Sequence, residues 1–184
     1  MGDENNLTKA ELQQKKEELE ATIDSNKEIL KHIELVRKYI NIAIDNLRKR
    51  ADFHDKSKLE EPEVEYFAKY NSKLAELTYN SDEYKKCLEE LKPALECHYA
   101  KNDHHPEFYP NGINDMDMFS IIEMLCDWIA STDRQHDGNI LKSISDNVKR
   151  FKLSDQLEKI IINTINRINK WIGLRIYLKI NIYT

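Results

Sequence analysis

Residues 53 to 63 read FHDKSKLEEPE, with a histidine directly before an aspartate and a lysine three residues after the acid. Such a cluster is either a charged helix start or the middle of a cation site. The chain has six histidines, and they are not scattered. His32 falls on an apolar stripe with Ile29, Val36 and Tyr39, and an imidazole facing a core needs a hydrogen bond or a metal. Taken alone, a satisfied core histidine is the commoner reading of such a residue. His98, His104 and His105 bracket the loop NDHHPEFYPNGIND. Divalent metals of borderline softness take imidazole and carboxylate together, so this segment could ligate one; an exposed polar loop is the plain alternative. Adjacent histidines cannot point the same way from regular structure. One of His104 and His105 is therefore expected to ligate and the other to face substrate or solvent. His136 stands apart.

Two carboxylates complete the set. In FSIIEMLCDWIAST, Glu123 and Asp127 are four residues apart and share one helix face, which Ser131 and Arg134 continue. The surrounding apolar residues predict a buried helix. A buried carboxylate needs a cation or several donors. Arg134 in a structural ion pair would serve, and so would a metal.

The elements that must position these residues read as helices. Thr8 with Glu11, and Ser25 with Glu28, are capping-box patterns. They open helices over about 8–23 and 26–49, or one long helix that runs through both. Leu12, Leu19, Ile23, Leu30 and Ile33 fit a short heptad seam, interrupted by Lys16 and Asn26. That arm could pair with a partner chain or pack on its own domain. Further helices are expected at about 63–77, 81–101, 115–134, 139–150 and 154–172. The tail GLRIYLKINIYT alternates apolar residues from 174 to 182, which is a strand period. The reading is an all-α domain over residues 25–184, with an N-terminal helical arm over 1–24 and a possible short C-terminal strand.

Composition bounds the function. The 184 residues are 40% hydrophobic and 33% charged, with four glycines and four prolines, which suits one helical globular domain. A net charge of -5 argues against a grip on long nucleic acid, though not against a small phosphorylated substrate. Three cysteines without a C-x-x-C read as reduced core thiols of a cytoplasmic protein. No secretory leader, myristoylation pattern or membrane span is legible.

His32, His54-Asp55, the histidines at 98, 104 and 105, and Asp127 occupy separate helices or helix ends, and a helical bundle can bring such residues to one point. Their order resembles the HD-domain superfamily of metal-dependent phosphohydrolases. HDKSK, the histidine segment ending NDHHPE and MLCDWIA are similar to a small, poorly characterised bacterial and phage branch of it. The resemblance spans about residues 28–135, and its later histidines lie closer together than in two-metal members. It implies an HD-like bundle in which His32, His54, Asp55 and Asp127 hold one divalent ion. Asp55 would bridge to a second ion on His98 and one of His104 and His105. One or two ions of Mn, Fe, Co, Ni, Zn or Mg would activate a hydroxide for in-line attack on phosphorus. Lys58 and Arg134 would balance phosphate charge beside Asp55, and Glu107 and Glu123 would support the ligands from behind. Tyr109 and Phe108 would lid the pocket.

The implied activity is hydrolysis of a phosphoester of a nucleotide or similar small molecule. Two rivals use the same ligands: a di-iron oxygenase, and a non-enzymatic metal-stabilised module assembled through its arm, as a homodimer for instance. The phosphohydrolase account requires His32, Asp55 and Asp127 to meet around a shared cation.

Overall fold

The computed structural model describes residues 8–77, 81–134 and 138–182. Its described regular structure is helical: α1 (Lys9–Phe53), α2 (Glu63–Glu76), α3 (Asp82–Lys101), α4 (Met118–Asp133), α5 (Ile140–Phe151) and α6 (Asp155–Ile182), with short 3₁₀ turns at Lys56–Leu59, Pro106–Phe108 and Gly112–Asp115. The all-α reading holds. The tail does not form the expected strand, because α6 continues to Ile182. Positions 174, 178 and 182, and likewise 176 and 180, are also one helical turn apart, so the same residues satisfy a helix; no described strand exists to pair with them. His136 lies outside the described residues.

The chain divides into two compact units, residues 1–49 and 50–184. The first is carried by α1. Its start is a reciprocal cap: the Thr8 amide donates to Glu11 Oε2 at 2.7 Å, and the Glu11 amide to Thr8 Oγ1 at 3.4 Å. The second capping signature does not interrupt it. Lys27 pairs with Asp24 and Lys31 with Glu28, and neither Gly nor Pro occurs between residues 9 and 53, so one long helix wins over two.

The second unit has two apolar clusters. Phe67, Tyr70, Cys87, Leu91 and Ala94 join α2 to α3. Met116, Met124, Leu125, Trp128, Ile144, Leu153, Ile161 and Ile165 join α4, α5 and α6, where Trp128 stacks on Phe151. Local capping sets the ends of these helices. Ser81 Oγ accepts from the Tyr84 amide, Asp117 Oδ1 from Ser120, and Asn139 Oδ1 from Lys142. All three cysteines are free, but only Cys87 is a core thiol; Cys97 is half-buried and Cys126 exposed.

Candidate metal centre

The His54-Asp55 doublet follows the last turn of α1. Asp55 has φ 56° and ψ 13°, a left-handed conformation that favours glycine and that aspartate tolerates better than most residues. Holding it there costs on the order of 1 kcal/mol. The turn swings the chain into the 3₁₀ segment 56–59 and presents the Asp55 carboxylate to α3 and to the loop after it. Asp55 Oδ1 lies 3.1 Å from His98 Nε2 and 3.5 Å from His104 Nε2. His98 Nε2 lies 3.0 Å from His105 Nε2. One ligand atom from each of Asp55, His98, His104 and His105 falls within 4.8 Å of the others. Both adjacent histidines therefore join one cluster. The backbone of 102–105 is irregular rather than helical, so the rule that neighbours diverge does not apply.

Each principal imidazole is oriented from behind by a carboxylate, which can only accept. His98 Nδ1 donates to Glu63 Oε2 at 2.9 Å, and Glu63 is fully buried at the start of α2. His54 Nδ1 and His104 Nδ1 both donate to Glu123 Oε1, at 2.8 and 3.1 Å. This holds a proton on each Nδ1 and turns each Nε2 toward Asp55, so an ion that displaces the His104 Nε2 proton meets the arrangement that carboxylates impose on metal-bound histidines. His54 Nε2 is 3.5 Å from Asp55 Oδ2 and 3.8 Å from Asp127 Oδ1, so His54, Asp55 and Asp127 form a second group of potential ligands beside the first.

The spacing carries chemical meaning. A cation bonded at about 2.1 Å holds neighbouring donor atoms about 3.0 Å apart across a right angle and about 3.4 Å apart across a tetrahedral one. The separations around Asp55 Oδ1 and His98 Nε2 fall in this range. In addition, Asp55 Oδ1 and His104 Nε2 are buried without a hydrogen bond, which is costly unless another group satisfies them. A divalent ion among Asp55, His98, His104 and His105 fits both observations.

Electrostatics follow from the packing. Burial opposes the charge on Asp55, but the facing imidazoles of His104 and His98 and the Lys58 ammonium outweigh it, holding the carboxyl well below its usual range. Burial also opposes the charge on Glu123, and His104, His54 and Arg50 overcome it in the same direction. Burial would lower His104, yet Asp55 and Glu123 raise it to about 9. Burial together with the charges of His104 and His98 pushes His105 down to about 2.

Several expected roles move to other residues. His32 is exposed in the first unit, with Ile29, Val36 and Tyr39 exposed beside it, and it belongs to neither ligand group. Among the described residues, the stripe that resembled a core face is not buried. Glu123 takes its cation from Arg50, whose Nε is 2.6 Å from Glu123 Oε2, and not from Arg134. Arg50 also forks onto both Asp103 oxygens and reaches Ser120. Arg134 is exposed at the end of α4, about two turns past Asp127. Glu107 does not orient an imidazole; it pairs with Arg150 at 2.6 Å. Lys58 is where the doublet suggested, with Nζ 2.5 Å from Asp55 Oδ2. Tyr109 hydrogen-bonds Ser120, and Phe108 packs against its ring.

Glu63, Arg50, Ser57 and Asn102 were missed. Glu63 sits among Glu60, Glu61 and Glu65, which read as a solvated charge run. Asn102 gave a faint signal, one helical turn after His98; its Nδ2 donates to the His98 carbonyl at 2.7 Å and to Ser57 Oγ at 2.8 Å.

Among the described residues the regular structure is helical, and it carries a buried imidazole–carboxylate cluster that could hold a cation. More particularly, the chain belongs to the DUF5662 family, described as a family of unknown function, whose profile matches residues 21–167. No curated protein and no solved structure matches it. Among the described residues, no helix is long and apolar enough to cross a membrane.

Proposed function

We propose that this protein is a divalent-metal-dependent phosphohydrolase acting on a phosphoester of a nucleotide or a similarly small phosphorylated molecule. The observation that carries the reading is the convergence of Asp55 Oδ1 with the Nε2 atoms of His98, His104 and His105, with the far nitrogens of His98 and His104 oriented by Glu63 and Glu123. Asp55, His98, His104 and His105 would hold one ion. His54 and Asp127, on the other side of the same carboxylate, would help hold a second. When bound, such an ion lowers the pKa of a water molecule and offsets phosphoryl charge.

The chain's own residues supply the rest. Asp55 presents its two oxygens in opposite directions, Oδ1 to the buried histidines and Oδ2 to His54 and Lys58. Lys58 is about one-third exposed, so its ammonium can serve the phosphate once Asp55 is neutralised by an ion. Arg50 stays engaged with Asp103 and Glu123 and fixes the carboxylate that orients two imidazoles. A cation beside the cluster favours phosphate chemistry over the oxygenase alternative. The similarity of HDKSK and of the histidine segment ending NDHHPE to HD-domain phosphohydrolases points the same way.

The test uses chelator-treated protein reloaded with Mn²⁺, Co²⁺ or Fe²⁺ and assayed on nucleoside monophosphates, small nucleotide diesters and aryl phosphoesters. Turnover that disappears with chelator and in Asp55→Asn is expected. Metal-loaded protein inert on the whole panel contradicts the reading, and iron-dependent O₂ consumption in its place supports the oxygenase.

A further inference from the structure

The helix α1 has 45 residues and none of them is buried. Helical propensity alone rarely stabilises such a length without an apolar face packed on something. The first unit nevertheless carries a row of large apolar side chains in the open. Leu19, Ile23, Leu30, Ile33, Ile40 and Ile44 are each between 38% and 60% exposed. They are not scattered. Leu12, Leu19, Asn26, Ile33 and Ile40 recur every seven residues, and Lys16, Ile23, Leu30, Arg37 and Ile44 form the companion series. This is the heptad spacing of a coiled-coil seam, interrupted by Lys16, Asn26 and Arg37 and longer than its N-terminal portion alone suggested.

We propose that this seam pairs antiparallel with the same helix of a second copy of the chain, about a two-fold axis between Lys31 and His32. The polar interruptions choose both the occupant and the direction. Parallel self-pairing would stack Arg37 on Arg37 and Lys16 on Lys16 inside the seam, which is repulsive. The antiparallel register sets Leu30 against Ile33 of the second copy, Ile23 against Ile40 and Leu19 against Ile44. In that same register Asn26 meets Arg37, so the two central polar residues share a layer and the guanidinium gains an acceptor. Lys16 falls opposite Leu47 at the outer end, where a long side chain can reach water.

The flanks nearest the two-fold axis agree with the register. On one side Ile29 faces Val36 of the second copy, both being exposed in the single chain. On the other, Lys27 faces Glu34, an attractive pair. Two-fold symmetry makes every contact occur twice, as a self-complementary interface requires.

Sedimentation equilibrium of the full chain at micromolar concentration is expected to give a dimer. Leu30→Glu with Ile33→Glu should give a monomer that keeps the helical circular dichroism of its second unit and loses part of that of α1. Lys27→Glu and Glu34→Lys leave the apolar seam intact, so they test the register without risking the fold. Each alone should weaken dimerisation by about threefold to tenfold, and the double variant should restore it. A monomeric wild-type chain overturns the proposal, as does a trimer or tetramer. So does a dimer indifferent to Leu30→Glu with Ile33→Glu, or a charge exchange that fails to restore association.

Discussion

The two units use histidine in opposite ways. In the first, His32 rides an exposed helix, and among the described residues no carboxylate holds its ring. In the second, His98 and His104 are buried, each fixed through Nδ1 by a glutamate and aimed at one aspartate oxygen. The sequence contexts differ, since His32 lies on an apolar helical stripe and His98, His104 and His105 bracket a polar loop. What separates them is a second layer of carboxylates, which costs too much to bury unless it orients something.

Asp55→Asn sharpens that contrast most. It keeps the side-chain shape and the left-handed backbone, and it removes the charge on which both ligand groups converge. Metal content and any phosphoester turnover should fall to background, as read by elemental analysis and assay on the same preparation.

Replacing the orienting carboxylates should cost less. Glu63→Gln or Glu123→Gln is expected to weaken metal affinity about 10-fold to 100-fold, measured by competition with a chromophoric chelator. Glu107→Gln, whose carboxylate serves Arg150, should leave that affinity unchanged. Equal losses from Glu63→Gln and Glu107→Gln would dissolve the distinction drawn here.

The metal-stripped protein should also reveal the cluster through pH. His104 in the fold sits near 9, above its unfolded value near 6.5, so its contribution is full below about 6.5 and is lost as pH rises through 9. That contribution is on the order of 3 kcal/mol. His105 sits near 2, below its unfolded value, so its neutral form favours the fold above about 6.5 and stability is lost as pH falls. Thermal melting in chelator should therefore peak near pH 6.5. A bound ion must displace the His104 proton, so metal affinity should climb with pH up to about 9. A flat melting profile from pH 5 to 9 would contradict the coupling.

The smallest effect is expected at His32. His32→Ala should change metal content not at all and stability by at most about 0.5 kcal/mol, the usual range for an exposed site. A large loss of metal in this variant would return His32 to the site and favour the HD-domain ligand order.

Much of this was legible because it is local. The doublet, the histidine-rich loop and the shared face of Glu123 and Asp127 follow from spacing alone. The helix starts at Ser81, Asp117 and Asn139 are capped within three residues. What escaped is long-range. Glu63 could not be told from its acidic neighbours, since only the fold buries it under His98. Arg50 displaced Arg134 because the end of α1 meets α4 from across the unit. His32 misled because an apolar helical stripe marks a face that wants covering without saying what covers it. The tail misled because residues two apart in a strand are four apart in a helix at every second step.

The central claim is that Asp55, His98, His104 and His105 enclose a divalent ion. Elemental analysis of wild-type protein purified without chelator, alongside Asp55→Asn prepared identically, tests it most directly. One or two transition-metal ions per chain in the wild type and almost none in the variant are predicted. Equal metal in both, or a folded wild type that remains metal-free after dialysis against Mn²⁺, Fe²⁺, Co²⁺ and Zn²⁺, would contradict it.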